Sequence, residues 1–462
     1  MHKILLIGKS GRVDVLAETF FRGHQPIELY SLSEVRNPGL LGKSKQLEIG
    51  KTDDVGAVVK FAKKVRPDFA VIGPEEPLAA GVVDALWTRL GIPSVGPTSQ
   101  LAQIESSKSF ARRLLAKYGI PGNPEFRVFR SLDGLEPYLR ALGEFVIKPD
   151  GLTGGKGVKI FREHVHSIQR AVEYCEAILG SKTAGTFVIE EKLEGEEFSL
   201  QSFCDGQHVV DTIPVQDHKR AFENDSGPNT GGMGSYSCEN HMLPFLTAEH
   251  LRQASEINAA VAEAVRNEFG EEYKGILYGG FMLTKDGVRL IEYNARFGDP
   301  EVMNVLPLLR TDFVEVCIAM LSGSLDKLKI EFERKATVCK YLVPRGYPET
   351  PTKGEKIKID ETEPSDDKRM YYGAVNQTDN GLYLIGSRAV ACVGIGNTLE
   401  EAEGLAEEIT SRIHGPIRHR KDIGTRSLIQ KRIDHARAII NSPAVATSES
   451  RYLSTGTQRS AR

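Results

Sequence analysis

The chain has 462 residues, of which 40% are hydrophobic and 26% are charged, and its formal net charge is −3. This length predicts three or four domains, because a domain commonly holds about 100–200 residues. The near-neutral charge disfavours a nucleic acid or an anionic membrane as a partner, and no apolar run reaches the roughly 20 residues that cross a bilayer. Six scattered cysteines without a C-x-x-C pair indicate reduced thiols, so we expect a cytoplasmic protein.

Residues 1–98 repeat a strand, loop and helix pattern. The run "KILLIG" (Lys3–Gly8) is continuously apolar, which is typical of a parallel strand buried on both faces. The run "DFAVIGPEEP" at 68–77 begins the same pattern again. The pattern predicts an open α/β domain with a parallel sheet, and ligands of such domains bind in the loops after the strands, here "GKSGR" and "GPEEP".

The loop "GKSGR" (Gly8–Arg12) stands between a predicted strand and a predicted helix. Its backbone N–H groups could hold an anion at the start of the helix. It is not a P-loop, because the glycine that a P-loop needs five positions before the Gly-Lys pair is replaced by Lys3. A plain tight turn is the alternative.

Residues 99–190 predict one helix followed by a small lid. The helix is expected over 100–118, before the Gly/Pro stop "GIPGNP". With the helices between them, the short strands that follow predict an α+β lid over 125–190. This lid is inserted into a core formed by 99–124 and 191–330. The strands are expected near Phe126, Phe145, Val158 and Phe187.

The second half of the core is expected to contain a long helix near 248–270 and a hairpin with Asp-Gly at its turn. A β-rich unit follows over 331–426. The tail at 427–462 is basic, helix-capable at its start and Ser/Thr-rich at its end, so we expect it to be partly disordered. The predicted protein is therefore a multidomain α/β and α+β chain with an N-terminal parallel domain and a C-terminal β-rich domain.

The segment Gln216–Tyr236, "QDHKRAFENDSGPNTGGMGSY", differs in composition from the rest of the core. It begins with charged residues, continues through an Asp-Ser-Gly-Pro turn and ends in a glycine-rich run. Neither a helix nor a strand favours this composition, so an irregular segment is predicted.

The glycine-rich stretch "IKPDGLTGGKGV" (Ile147–Val158) has the composition of a phosphate-binding turn. A predicted strand ends in Lys148, and the turn leads through Lys156 into a second strand. Glycines let the backbone approach phosphates closely, and a lysine supplies a point charge. An ordinary hairpin with solvated lysines is the alternative.

Two acidic stretches complete a possible nucleotide site. In "VIEEKLEGEEFSL" (Val188–Leu200) a strand runs into a connector whose backbone could meet a purine edge, while Glu197 could accept ribose hydroxyls. A solvated acidic turn is the alternative. In "RLIEYNARFGDPE" (Arg289–Glu301), Glu292 and Asn294 lie two residues apart on one strand and face the same side. Such a pair of oxygen ligands suits Mg²⁺ bound to phosphate.

This order of lysine strand, glycine turn, acidic connector and Glu-x-Asn strand resembles the ATP-grasp ligases. The segment Gln216–Tyr236 and "NARFGDPE" closely resemble the signatures of the phosphoribosylamine–glycine ligase family, and further similar pieces, from "GPEEPLAAGVVDAL" to "RKDIG", run in the family's order over about 420 residues. The resemblance implies an ATP-grasp fold. The implied activity joins glycine to 5-phosphoribosylamine through a glycyl phosphate, with ATP and Mg²⁺ or Mn²⁺.

For the nucleotide and metal, the resemblance implies lysines near the phosphates, a glycine flap, an adenine hinge, a ribose-binding acid and two metal ligands. In that order these are Lys108 and Lys148; Gly154, Gly155, Lys156 and Gly157; Glu190, Glu191 and Leu193; Glu197; and Glu292 and Asn294. The hinge is expected to act mainly through its backbone.

For the other substrates, the resemblance implies a phosphate-binding loop formed by Gly8, Gly11 and Arg12. Arg296 is placed to balance charge on the transferring phosphoryl group. The segment Gln216–Tyr236 becomes a substrate lid, in which Asp217 and Lys219 approach the reactants and backbone N–H groups of a glycine run approach an anion. That run includes Gly231 and Gly232.

The sequence departs from the family pattern at several places. The usual Gly-Ser-Gly-Gly-Arg-Glu-His turn is "GKSGRVD" here, with Val13 and Asp14 in place of Glu and His. Contacts to the ribosylamine are therefore in doubt. In the C-terminal unit, "YYGAV" (Tyr371–Val375) stands where His-Ala-Gly-Thr is common, whereas Arg388 is kept. Because the ATP and metal residues are intact, we interpret the chain as a divergent active member.

Two other functions are compatible with the sequence. One is another purine-pathway ATP-grasp carboxylate–amine ligase, which should lack the Gln216–Tyr236 signature. The other is an inactive nucleotide-binding regulator, which should have lost Glu292, Asn294 or Arg296; all three are present. If the chain has the glycine ligase activity that the resemblance implies, its partners are small molecules rather than nucleic acid or membrane, and it is expected to be a monomer or a weak dimer.

Overall fold

The N-terminal unit is an open, fully parallel sheet. The computed structural model describes residues 1–152, 157–181, 185–360 and 365–442. The first sheet has the order β3-β2-β1-β4-β5, and all of its pairings are parallel, as predicted. Its elements are β1 (His2–Ile7), α1 (Gly11–Arg22), β2 (Ile27–Ser33), α2 (Pro38–Leu41), β3 (Gln46–Ile49), α3 (Val55–Val65), β4 (Phe69–Ile72), α4 (Glu75–Ala79), α5 (Val82–Leu90) and β5 (Ser94–Val95).

The predicted single helix over 100–118 is wrong, because the structure has two helices, α6 (Gln103–Ser106) and α7 (Lys108–Lys117). Ser107 separates them with an extended backbone (φ −136°), and its hydroxyl accepts a hydrogen bond from the Phe110 N–H group at 3.2 Å. This is an N-cap, which satisfies a donor at the start of α7. The break fixes where Lys108 begins the second helix.

The next unit is an antiparallel sheet with its own hydrophobic core. The sheet order is β6-β9-β7-β8, and the core includes Phe129, Leu139, Phe145 and Phe187. This core is separate from the main one, so the unit packs around its own apolar residues; its role as an inserted lid over 125–190 stays a prediction. Its elements are β6 (Phe126–Phe129), α8 (Leu135–Leu142), β7 (Phe145–Pro149), β8 (Lys159–Ile160), α9 (Ile168–Leu179) and β9 (Phe187–Glu191).

The core sheet has the order β11-β10-β16-β17 and includes the predicted Asp-Gly hairpin. The segment Gln216–Tyr236 was predicted to be irregular, but four short strands lie in it. These strands pair with one another in two antiparallel pairs, and the last of them also pairs with a strand of the C-terminal unit; the local composition does not reveal these pairings. The elements are β10 (Glu196–Asp205), β11 (Val209–Asp211), β12 (Gln216–Asp217), β13 (Arg220–Phe222), β14 (Ser226–Asn229), β15 (Gly234–Ser237), α10 (Ala248–Phe269), β16 (Lys274–Thr284), β17 (Gly287–Asn294), α11 (Val302–Val305) and α12 (Phe313–Ser322).

The C-terminal unit is β-rich, as predicted, and it completes a sheet with the core. Strand β15 pairs with β12 on one side and with β18 on the other, so the sheet has the order β12-β15-β18-β23-β20. A second sheet has the order β21-β22-β19-β24. The elements are β18 (Ala336–Pro344), β19 (Lys356–Ile359), β20 (Lys368–Tyr372), β21 (Val375–Thr378), β22 (Gly381–Leu384), β23 (Val390–Gly396), α13 (Leu399–Ser411), β24 (Ile413–His414), β25 (Ile417–Arg418) and α14 (Arg426–Ile440).

Two further expectations concern the whole chain. All six cysteines lie in the described residues, and all are buried and free. Each helix in the described parts of the chain is too short or too polar to cross a bilayer. The predicted disorder at the end of the tail falls on residues 443–462, which lie outside the described residues.

Candidate active site

Lys148 lies at the end of β7 in a buried group of charges. Its Nζ atom is 2.8 Å from Glu190 Oε2, and Arg112 Nε is 2.8 Å from Glu190 Oε1. Burial opposes ionisation of Glu190, but Arg112 and Lys148 outweigh it and lower the pKa of Glu190 to about 2. Glu190 therefore directs its carboxylate inward, so its part in the proposed hinge would come from its backbone.

Lys108 begins α7 beside the glycine turn. Its Nζ atom donates to the Gly151 carbonyl at 2.8 Å, while Asp150 accepts from the Ser109 hydroxyl at 2.5 Å. These contacts fix the entrance of the turn. Gly154, Gly155 and Lys156 lie outside the described residues. Gly157, on the far side, accepts a hydrogen bond from the Tyr174 hydroxyl at 2.8 Å.

The proposed hinge connects β9 to β10. Glu191 ends β9, Leu193 lies in the connector, and the chain enters β10 at Glu196. The half-buried Glu197 accepts from Lys219 Nζ at 2.7 Å. Lys219 is the main cause of a lowered pKa of Glu197. The acid predicted to bind ribose therefore lies against the segment predicted to cover the substrates.

Glu292 and Asn294 lie on β17 and face the same side, as the two-residue spacing predicts. Glu292 is exposed, and Asn294 Oδ1 accepts from Arg296 Nη2 at 3.1 Å. Within the described residues, no group of three or more His, Cys, Asp or Glu side chains could hold a metal ion. Two oxygen ligands alone fit Mg²⁺ or Mn²⁺ whose remaining ligands are phosphate and water oxygens.

Mutual electrostatic effects place these residues in one neighbourhood. Lys219 has a pKa raised well above its ordinary value: burial opposes this, and Asp217, Glu197 and Glu292 outweigh burial. The pKa of Lys108 is lowered, mainly by burial. The charge of Glu292 opposes this effect, and the charge of Lys148 adds to it. These mutual effects indicate that the residues predicted to bind the nucleotide and the metal lie near one another, in a region that we call the candidate cleft.

A second cluster of charges joins three loops beside this cleft. Arg12 Nη1 donates to the Gly73 carbonyl at 2.8 Å and lies 3.7 Å from Glu75. Arg296 is 3.1 Å from Glu75 and 2.8 Å from Glu105. Burial raises the pKa of Glu105 to about 7. Arg12 Nε is buried and has no partner among the described residues, so it can bind an anion.

Asp299 connects the N-terminal loop with the glycine run at 231–234. Its Oδ1 atom accepts from the Tyr341 hydroxyl at 2.8 Å and lies 3.2 Å from Arg388. Arg388 also donates to the Gly231 carbonyl at 2.6 Å. A Cβ atom on Gly11 would lie 2.5 Å from the Tyr341 hydroxyl oxygen, so only glycine lets the loop approach this closely.

The glycine run does not present free N–H groups as predicted. The Gly232 N–H group donates to the Thr230 hydroxyl at 3.0 Å, and the Gly231 N–H group donates to the Tyr347 hydroxyl at 3.5 Å. Thr230 is only two residues from Gly232, whereas Tyr347 lies far along the chain, so the second contact depends on the fold. The glycines instead present carbonyl groups to Arg388.

Two departures from the family pattern, Val13 and Asp14 in one unit and "YYGAV" (Tyr371–Val375) in another, are joined by a contact of Asp14. Val13 is fully buried, and a Cβ atom on Gly8 would lie 2.3 Å from its Cγ1 atom, so Val13 packs beneath the loop. Asp14 accepts from the Tyr372 N–H group at 2.8 Å and from Lys43 Nζ at 3.1 Å. Asp14 therefore binds the altered "YYGAV" segment rather than facing the charges around Arg12.

Several residues of the site carried no prediction of their own. Glu75 lies in the "GPEEP" loop, whose position after a strand was the available signal. The partners Arg112 and Glu105 come from other elements, and no local pattern distinguishes them from surface charges. Asp299 belongs to the stretch "RLIEYNARFGDPE", for which only Glu292, Asn294 and Arg296 were given roles.

A lysine strand, an acidic connector and a Glu-x-Asn strand around one cleft define a protein of the ATP-grasp class. Models of the phosphoribosylglycinamide synthetase family match the N domain at residues 2–105, the ATP-grasp (A) domain at 106–302 and the C domain at 337–426. The chain belongs to this family, that of the phosphoribosylamine–glycine ligases.

Relatives cover nearly the whole chain. Phosphoribosylamine–glycine ligase of Methanocaldococcus jannaschii is 48% identical over 94% of this chain and 98% of its own length. That of Methanocella arvoryzae is 45% identical over 95% and 99%. The crystal structure of the Thermotoga maritima phosphoribosylamine–glycine ligase is 28% identical, with a TM-score of 0.76 over 91% of this chain and 99% of that one. The predicted ATP-grasp fold is confirmed.

Proposed function

We propose that the chain joins glycine to 5-phosphoribosylamine with ATP, giving glycinamide ribonucleotide, ADP and phosphate in purine biosynthesis. Full-length relatives of that name support the activity. The observation that carries it is the position of Arg296, which contacts the proposed metal ligand Asn294 on one side and Glu75 on the other. A reaction between a nucleotide and a second substrate needs such a junction.

The nucleotide lies in the cleft between the lid and the core. Lys108 and Lys148 face its phosphates together with the flap at 154–157, and the hinge at 190–193 receives its adenine through the backbone. Glu197 accepts the ribose hydroxyls. A Mg²⁺ or Mn²⁺ ion, held by Glu292 and Asn294, supplies charge neutralisation for the phosphates.

The reaction has two steps. The glycine carboxylate takes the γ-phosphoryl group, and the bond between that group and ADP breaks. The ribosylamine nitrogen then attacks the glycyl carbonyl carbon, and phosphate leaves with the electrons of the broken C–O bond. Arg296 and Lys219 balance the negative charge, because phosphoryl transfer depends mostly on positioning and on charge.

Asp217 accepts the proton that the attacking nitrogen loses. Its side chain is 7% exposed, and burial raises its pKa to about 7, with Lys219 opposing the rise. A group of this pKa exchanges protons well near neutral pH. Lys219, 4.0 Å away, stays cationic beside it.

The ribosylamine phosphate binds the loop that contains Gly8, Gly11 and Arg12. The unpartnered Arg12 Nε atom and the start of α1 support this assignment. Gly231 and Gly232 shape the opposite wall through Arg388. We also propose that the chain acts in the cytoplasm as a monomer or a weak dimer, on small molecules only.

Phosphate release tests the activity. The chain is supplied with ATP, Mg²⁺, glycine and freshly prepared phosphoribosylamine, and each component is omitted in turn. We expect release only when glycine and the ribosylamine are both present. Equal release with bicarbonate in place of glycine would instead assign a carboxylating ligase of the same class.

A further inference from the structure

The helix α14 (Arg426–Ile440) lies almost wholly beyond the end of the family's C-domain match at residue 426. It packs against β10 and β16 through a buried face that includes Leu428, Ile429 and Ala436. Strand β10 carries the proposed ribose acid. The last described helix of the chain therefore lies behind the nucleotide cleft.

Arg432 of α14 lies between two acids, and the first of these is Asp225, in the segment Gln216–Tyr236. Arg432 Nη2 donates to Asp225 Oδ2 at 2.6 Å, and Arg420 Nη1 lies 3.1 Å from Asp225 Oδ1. Asn224 and Asp225 both have positive φ angles, of 59° and 57°. Asn and Asp adopt this conformation more readily than other residues apart from glycine, and the contacts of Arg432 and Arg420 hold Asp225 in it.

The second acid beside Arg432 is Glu196, which is 2% exposed. Arg432 Nη1 lies 3.6 Å from Glu196 Oε1, and His435 Nδ1 lies 2.6 Å from the same atom. Glu196 Oε2 accepts from Gln216 Nε2 at 3.0 Å. Arg432 is therefore in contact with an acid of β10 and with an acid of the segment Gln216–Tyr236, which we call the substrate segment.

Glu196 and Gln216 each precede a residue of the proposed site. Because neighbouring residues of a strand face opposite sides, Glu196 and Gln216 turn toward α14 while Glu197 and Asp217 turn into the cleft. Gln216 Nε2 also donates to the Glu197 carbonyl at 3.0 Å. A shift of Glu196 or Gln216 thus displaces Glu197.

We propose that Arg432 is a positioning residue, which holds Glu196 and Asp225 so that Glu197 meets the nucleotide ribose and the substrate segment keeps its closed shape. The inference deepens the proposed function and rests on the ribose contact of Glu197. Arg432 does not itself touch a reactant.

Arg432→Gln tests the inference, because it removes the charge from both contacts. Binding of ATP and of 2′-deoxy-ATP, each with Mg²⁺, is measured by titration calorimetry. We expect ATP binding to weaken about tenfold, the effect of losing one charge-assisted hydrogen bond, and the preference for ATP over 2′-deoxy-ATP to decrease. A general loss of fold would weaken both nucleotides equally. Arg432→Lys should restore part of the preference.

Arg437→Gln is the matched control on the same helix. Its side chain is 72% exposed and lies 3.9 Å from Asp434, so both affinities should stay unchanged. If Arg432→Gln does not fold, His435→Ala replaces it, since that side chain is 49% exposed and pairs with Glu196. It should reduce the same preference to a smaller degree.

An unchanged preference in Arg432→Gln, or in His435→Ala where the first does not fold, would overturn the proposal. Equal binding of the two nucleotides by the unaltered chain would also overturn it, because Glu197 would then have no ribose contact. Calorimetry needs neither glycine nor the ribosylamine. Absence of ligase turnover is therefore distinguishable from failure of the Arg432 assignment.

Discussion

The charged side chains of the cleft are held by other charges of the protein. Lys148 and Arg112 share Glu190, and Arg296 lies between Glu75 and Glu105. A buried charge without a partner is costly, whereas a paired one keeps its position. The cleft can therefore offer fixed cations to phosphate groups.

Glu190→Gln should destabilise the chain by about 3–5 kcal/mol at neutral pH, because it leaves Arg112 and Lys148 buried without a counter-charge. Thermal unfolding measures the effect. The folded pKa of Glu190, about 2, lies below the ordinary 4.5, so the stabilisation is present above pH 4.5 and lost as the pH falls toward 2. Glu249→Gln, on an exposed face of α10, is the control and should change little. Equal stability of the two variants would contradict the prediction.

Glu292→Ala should abolish turnover and leave the fold intact. Glu292 is exposed on β17, and Lys219, whose pKa it helps to raise, keeps its contacts with Glu197 and Asp217 in the variant. Phosphate release and the melting temperature are measured together. Normal turnover in this variant would remove the metal assignment.

Asp217→Asn should remove the pH dependence of the second step. With a pKa raised by burial to about 7, Asp217 gains its carboxylate between about pH 6 and 8, so kcat/KM for the ribosylamine should rise over that range. The variant should have a low kcat/KM for the ribosylamine that does not change with pH over this range. Glu105→Gln is the necessary comparison, since burial also raises the pKa of Glu105 to about 7. A rise that survives in Asp217→Asn and disappears in Glu105→Gln would reassign the titrating group.

At the scale of elements, the sequence located most helices and strands but missed one local helix cap and the strands that depend on their pairing partners. Ser107 was read as part of one helix, although its hydroxyl caps α7. The glycine-rich strand β15 has little strand propensity, and it exists because β12 and β18 pair with it on both sides. The Asp-Gly hairpin and α10 were predictable because their signals are local.

Gly232→Ala should reduce activity, because the segment Gln216–Tyr236 could no longer take its native shape over the substrates. Gly232 has a φ angle of +108°, and an added Cβ atom would lie 2.5 Å from Pro300 Cδ. Both the strain and the clash displace the carbonyl that Arg388 binds. Steady-state kinetics measure the loss. Gly404→Ala, where nothing lies within 4 Å of the added atom, should keep full activity; equal kinetics in both variants would contradict a closely packed role for Gly232.

At the scale of the molecule, the proposed site takes residues from several units. The motifs identify the class because they follow one another along the chain. They do not show that Asp14 of the N-terminal unit binds Tyr372 of the C-terminal unit, or that Arg388 reaches the glycine run. Such contacts depend on how the units are packed, which a single sequence does not encode locally. The domain boundaries 98/99, 330/331 and 426/427 stay predictions.

Asp14→Ala should lower stability without changing the KM for the ribosylamine. The Tyr372 N–H group and Lys43 lose an acceptor, at a cost of about 1–3 kcal/mol. Asp14→Asn keeps an acceptor for the N–H group and should recover part of the stability. Thermal unfolding and KM are measured for both variants. A raised KM at unchanged stability would show that Asp14 serves the substrate instead.

The pairing of β15 with β18, and the hold of Arg432 on Asp225, have a consequence for biosynthesis. The substrate segment is translated about 200 residues before Arg432 leaves the ribosome, a delay of roughly 10–40 s at about 5–20 residues per second. Late in that interval, once β17 has been translated, the nascent chain has the described residues of the proposed nucleotide site before it has the strand β18 and the helix α14 that fix the segment. A stalled or prematurely terminated product would therefore retain ATP-binding surfaces while lacking the closed chamber that keeps a reactive acyl phosphate from water.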